Sequence, residues 1–118
     1  MAEVILNVVK FGSAPAWTVI NATDTFLMSN DGLTKLYVEN TGGSAIAATF
    51  IEQRACNYGH ALTNFVFSCG AGATSVIGTF RKDRYNRADG RIAVTFSIPG
   101  GGTNRAYGVY DVPEDGRI

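Results

Sequence analysis

Apolar and polar residues alternate with a period of two along most of the chain. From Arg91 to Ile98, Ile92, Val94, Phe96 and Ile98 fall on one face and Arg91, Ala93, Thr95 and Ser97 on the other. That pattern predicts a strand with one buried side. Thr34 to Asn40 repeats it, with Leu36 and Val38 inward and Lys35, Tyr37 and Glu39 outward. Ile46, Ala48 and Phe50 form a third set, and Phe65, Phe67 and Cys69 a fourth. Val76 to Phe80 and Arg105 to Val112 add two more, and Asp24 to Met28 a shorter one. No window of helical length carries a 3.6-residue stripe. The segment Lys82 to Ala88 has room for one helical turn and no more.

The breaks between these runs are turn chemistry. Asn30-Asp31-Gly32, Asn40-Thr41-Gly42-Gly43, Asp89-Gly90 and Pro99-Gly100-Gly101-Gly102 each sit at the end of a predicted strand. Such pairs supply the positive φ angles that tight β connections need. Short strands spaced about ten residues apart predict an all-β domain. The expected fold is a single antiparallel β-sandwich, jelly-roll-like or Ig-like, of about seven to eight short strands. It should occupy residues 17–112. Residues 1–16 form an apolar arm ending in Ala14-Pro15-Ala16, and residues 113–118 a short tail. The arm is either an extra strand packed on its own domain or a segment lying on a neighbouring subunit.

Composition fits this reading. The 118 residues suffice for one core, and 14 glycines are about twice the average share, as a turn-rich chain requires. Ten basic and ten acidic residues give a formal charge of zero, so neither nucleic acid nor an anionic membrane is indicated as the main partner. The apolar start, Val4 to Leu6 and then Val8-Val9, is interrupted by Asn7 and Lys10. It is too short to span a bilayer and lacks the basic front of a signal peptide, so the protein is expected to be soluble and unexported.

Candidate chemistry is sparse. His60 is the sole histidine and lies between two predicted strands, without a nucleophile-elbow sequence anywhere in the chain. Cys56, His60 and Cys69 make at most three zinc ligands, without the Cys-x2-Cys pairs of a recognisable site. The two cysteines read as free buried thiols, with a Cys56–Cys69 bridge left open. Gly100–Gly102 is followed by neither Gly-Lys-Ser/Thr nor a helix, so it is a loop and not a phosphate cradle. No catalytic residue, cofactor or metal is expected, and the protein is read as a non-enzyme.

Charge is concentrated in one place. Residues 81–91 carry five basic and two acidic side chains, net +3, with Tyr85 among them, while residues 111–118 are net −2. Tyr and Arg are residue types that interface hot spots favour. The candidate contact residues are therefore Arg81, Arg84, Tyr85 and Arg87 in the loop, and Val4, Leu6, Val8 and Phe11 in the arm.

The order of motifs resembles a known group. Asp24-Thr25-Phe26, Asn30-Asp31-Gly32, Leu36-Tyr37-Val38-Glu39-Asn40 and Gly42-Gly43 come first. Gly70-Ala71-Gly72-Ala73-Thr74, Val76-Ile77-Gly78, Phe80, Arg84-Tyr85-Asn86, Asp89-Gly90 and Val94-Thr95-Phe96-Ser97 follow. Together, over residues 24–112, they resemble the head decoration, or capsid cement, proteins of tailed phages. The stretch from Glu52 to Asn64 is longer than a minimal loop of that pattern, and the N-terminal arm is not a fixed part of it. The resemblance implies a β-sandwich on the capsid exterior of the virion, assembled in the host cytoplasm. Its partners would be the major capsid protein and other copies of itself, preferably as a trimer. The alternatives are a host-surface or glycan-binding module, using Trp17, Tyr37, Tyr58, Tyr107 or Tyr110, and a connector or tail component of the same virion.

Overall fold

The structure, a computed structural model, describes residues 3–51, 65–78, 80 and 85–110. Among these, ten strands form two five-stranded sheets. They are β1 (Glu3–Ile5), β2 (Val8–Lys10), β3 (Thr18–Ile20), β4 (Thr25–Ser29) and β5 (Thr34–Glu39), then β6 (Ile46–Phe50), β7 (Phe65–Cys69), β8 (Thr74–Ile77), β9 (Arg91–Ser97) and β10 (Asn104–Tyr110). The first sheet runs β1-β4-β9-β6-β7. The second runs β2-β10-β5-β8, with β3 also paired to β10. The all-β sandwich is as the alternation predicts.

Two features differ from the expectation. Among the described residues there are ten strands, not seven to eight, because β1, β2 and β3 have three residues each, too few for alternation to show. The sheets are also mixed. β1 lies parallel to β4 and β2 parallel to β10, while every other pairing is antiparallel. The body of the sandwich is thus antiparallel as predicted, and the arm supplies the parallel pairs. The arm lines the edge of one sheet, crosses at Leu6-Asn7 and lines the edge of the other. Hydrogen bonds from Leu6 N to Leu27 O (2.8 Å) and from Gly108 N to Asn7 O (2.8 Å) hold the crossing point to both.

The core lies between the sheets. Phe26, Met28, Ile92, Val94, Ile46, Ala48 and Phe50 from the first sheet meet Leu36, Val38, Ile77 and Ala106 from the second, all nearly or fully buried. Phe26 meets Phe96 edge-on at 5.5 Å, and Phe50 packs on Phe80 at 4.6 Å. At Gly108 a Cβ would come within 2.7 Å of Met28 Sδ, so the missing side chain on β10 is what lets Met28 fill the space. On β7 only Cys69 reaches the core fully. Phe67 packs partly against it and Phe65 remains exposed at the sheet edge.

Buried asparagines close the strand ends. Asn30 Nδ2 donates to Phe80 O (3.1 Å) and Asn86 Oδ1 (2.7 Å), and Asn30 Oδ1 accepts from Gly32 N. Asn40 Nδ2 donates to Ser44 O and Cys69 O while Oδ1 accepts from Gly42 N. Asn104 Oδ1 accepts from Thr41 N (2.8 Å), and its Nδ2 donates to Gly101 O (3.0 Å) and Gly102 O (3.3 Å). Each side chain serves backbone groups that the turn leaves without a ladder partner, which is how a turn stays rigid when buried. The loops at 40–44 and 99–103 pack backbone to backbone. A Cβ on Gly42 would lie 2.5 Å from Gly101 O, and one on Gly100 2.5 Å from Ser44 N.

Candidate contact surfaces

Residues opposite one another across a ladder share a face, so the registers decide what each sheet shows to solvent. On the first sheet the outward pairs include Thr49–Thr95, Ala47–Ser97, Ala47–Ser68 and Ser29–Arg91. Apart from Arg91, these side chains are small or hydroxylic, while Val66, opposite Thr49, and Ile5, opposite Leu27, are exposed on the two edge strands of the same face. Leu27 and Ala93 also pair on this side, outside the core cluster, yet both are buried.

The second sheet presents a different surface, arranged in three rows. The first row runs Thr74, Glu39, Arg105 and Val19 across β8, β5, β10 and β3. Val76, Tyr37 and Tyr107 form the second row, continued by Trp17, whose ring meets Tyr107 edge-on at 4.6 Å. Lys35, Val109 and Val9 form the third. Val76 at one end of the second row is 48% exposed and Val19 at the opposite end of the first row 62%, whereas Tyr107 and Val109 on the same face are buried. Tyr37 and Tyr107 pack together at 5.3 Å.

The polar groups on this face are spent on one another. Arg105 Nε donates to Glu39 Oε1 at 2.7 Å and its terminal nitrogen to Oε2 at 3.2 Å, a two-pronged pair. The same guanidinium lies 4.6 Å from the centre of the Trp17 ring. The hydrogen bond from Arg105 holds the Glu39 carboxyl below its ordinary range, and Glu39 in turn raises Arg105. Trp17 therefore has one face under Arg105 and an edge against Tyr107, so it is part of a packed cluster and not a free flat platform for a sugar ring.

No family model matches this chain, and neither a curated protein nor a solved structure matches it.

The structure sorts the residues singled out from sequence. In the arm, Leu6 is buried at 2% exposure, Val4 and Val8 pack partly against the core, and Phe11 is 53% exposed. The described part of the arm therefore lies on its own domain, the first of the two placements its sequence allowed, with Val4, Leu6, Val8 and Val9 buried or half-covered and Ile5, Phe11, Ala14 and Pro15 exposed. In the loop, Tyr85 packs edge-on against Phe80 at 6.1 Å. Arg87 donates to Glu3 Oε2 at 3.2 Å and approaches Asp89 at 4.0 Å, so it ties the arm to the body. Arg91 pairs with Asp89 at 3.8 Å. Arg81 and Arg84 lie outside the described residues, as do Cys56, Tyr58, His60 and the tail at 113–118.

Other sites are modest. Val8, Ser29, Asn30, Asp31, Thr34 and Tyr110 line an open cleft of about 410 Å³ at one end of the sandwich. Its Asp31 carboxylate is engaged locally, accepting from Leu33 N and Thr34 Oγ1. Cys69 is a buried free thiol, pushed up by burial and partly offset by a hydrogen bond with Ser75. Among the described residues no group of three or more His, Cys, Asp or Glu side chains is placed to hold a metal, and no helix is long and apolar enough to cross a membrane.

The outer face of the second sheet is what sequence reasoning missed. Alternation already puts Tyr37 and Glu39 outward. Their alignment with Tyr107 and Arg105, 66 or more residues away, depends on a register that no local pattern encodes.

Proposed function

We propose that this protein is a virion structural subunit that binds the exterior of a tailed-phage capsid and braces the shell, with the major capsid protein and further copies of itself as partners. The observation that carries the reading is the contrast between the two outer faces. One is mostly small and hydroxylic, with single exposed apolar side chains, Ile5 and Val66, on its two edge strands. The other is an ordered strip of Val, Tyr, Tyr and Trp edged by a paired Glu and Arg. Within this strip Val76 is 48% exposed, Trp17 and Tyr37 are half-buried and Tyr107 is buried. Partly exposed apolar and aromatic side chains grouped on one face mark a protein contact, and Trp, Tyr and Arg are the residues that dominate such contacts. The motif order over residues 24–112 supplies the virion context. A bracing subunit repeated over a symmetric shell needs only modest contacts per copy, because they act together.

Quantitative mass spectrometry of purified particles tests the reading. The expected result is this chain at an abundance comparable to the major capsid protein, released from heads before the shell itself dissociates. Absence from particles overturns it, and an abundance matching a single vertex reassigns it to the connector. Deleting the arm is not a clean way to probe attachment, because removing Leu6 opens the core. Substitutions of exposed residues are required.

A further inference from the structure

The three-row face of the second sheet is self-complementary, and we propose that it pairs with the same face of a second copy about a two-fold axis lying parallel to the strands, between β5 and β10. This deepens the reading of that face as a protein contact and does not depend on the virion assignment.

The argument is geometric. A two-fold axis in that position exchanges β5 with β10 and β8 with β3, and leaves each row facing itself. Glu39 of one copy then faces Arg105 of the other, and Arg105 faces Glu39. Tyr37 faces the row position of Tyr107, which is itself only 7% exposed in the monomer, and Val76 faces Trp17. Lys35 faces Val109, so no like charges meet. The in-copy pair at 2.7 Å would become one half of an alternating ring of four charges, with every charge next to its opposite. Val76, 48% exposed, ends the second row and Val19, 62% exposed, ends the first on the opposite side, and a facing sheet would cover both.

Charge complementarity decides the occupant. A partner of strong net charge gains little here, because Arg105 and Glu39 already neutralise one another. A sugar would need a broad open ring face, whereas Trp17 is half-buried with Arg105 over one face, Tyr37 is half-buried and Tyr107 is buried. A second copy satisfies both the apolar row and the charged row at once, by an isologous contact of the kind that closes dimers. Aligned sheets pack about 10 Å apart, within about 30° of one another, which suits the near-parallel strands this axis generates. Area sets the strength. Four strands about 4.8 Å apart and three rows about 7 Å apart, with side-chain margins, span roughly 400 Å² per copy. A standard stable interface needs about 800 Å² per partner. The dimer is therefore weak and concentration-dependent in free solution, and becomes fully populated where copies are held close together.

Sedimentation velocity on the full chain over a wide concentration range tests the proposal. The expected result is a reversible shift from the 12.6 kDa monomer toward twice that mass. Val76→Glu and Val19→Glu, both at solvent-facing positions, weaken the association by about tenfold or more while the melting temperature stays unchanged. The decisive arm is a mixing experiment. Glu39→Arg alone places Arg opposite Arg across the axis, and Arg105→Glu alone places Glu opposite Glu, so each variant is monomeric. Mixed together they restore both opposite-charge contacts and form a heterodimer. Circular dichroism confirms that each variant is folded, and if the charge variants do not fold, the valine variants decide alone. A wild-type chain that stays monomeric throughout overturns the proposal, as does a dimer indifferent to the valine variants or a mixture that fails to associate. A monomeric chain whose valine variants lose occupancy on heads overturns it in favour of a shell contact. None of these solution results depends on the chain being found in particles.

Discussion

Replacing Leu6 with Ala separates a free arm from one that is part of the core. Leu6 is 2% exposed and sits where the arm passes from the edge of one sheet to the edge of the other. The substitution removes three buried carbons, at about 0.8 kcal/mol each, or about 2.5 kcal/mol in transfer free energy. A cavity contribution raises the loss toward about 4 kcal/mol if the surroundings hold their positions. The arm is bounded by exposed residues at Ile5 and Asn7, so it can settle inward and the lower figure is expected. For a urea m-value of about 1–3 kcal/mol per molar, the unfolding midpoint falls by about 0.8–2.5 M. Phe11→Ala is the matched control. Its side chain is 53% exposed, and the substitution should change stability by no more than about 0.5 kcal/mol. The assay is equilibrium urea unfolding followed by tryptophan fluorescence, since Trp17 follows the arm directly in sequence. A loss below about 1 kcal/mol for Leu6→Ala would refute the placement of the arm in the core.

Two further outcomes follow from the polar groups. Asn104→Asp keeps an acceptor for Thr41 N but turns an acceptor toward Gly101 O and Gly102 O, where Nδ2 now donates. Burial and those carbonyls raise the new carboxyl above the ordinary Asp value of about 3.9. Its penalty is absent below that value and grows as pH rises toward the folded-state value, so the urea midpoints of variant and wild type should diverge between pH 3.5 and 7; a constant gap would contradict the hydrogen-bond assignment. Glu39 titrates below its ordinary range because Arg105 donates to it, so the stabilisation from this pair is present above the unfolded carboxyl value and fades as pH falls through the lowered folded one. Carboxyl NMR should show Arg105→Gln returning the Glu39 midpoint upward, and an unmoved midpoint would mean that the two-pronged contact is not formed in solution.

Strand content and the inward sets were legible in the residue pattern alone. Leu36 and Val38, Ile46, Ala48 and Phe50, and Ile92, Val94 and Phe96 are buried as alternation requires, because period two is a local property and a half-buried sheet selects for it. The turns were legible for the same reason. Gly32, Gly90, Gly101 and Gly102 take positive φ where Asn-Asp-Gly, Asp-Gly and the glycine run mark the breaks. What the tertiary structure decided is everything that depends on which strand lies beside which. A three-residue strand has no readable period, so the arm's parallel pairing to both sheets was invisible, and Leu6 read as a contact when it is core. Arg87 and Tyr85 read as contact residues of a charged loop, and the structure adds that Arg87 pairs with Glu3, 84 residues earlier, and that Tyr85 packs on Phe80. The candidate contact face exists only because the register sets Tyr37 beside Tyr107 and Glu39 beside Arg105. Local sequence sets which side of a strand is apolar. Long-range pairing sets which apolar side chains become neighbours, and a surface is made of neighbours.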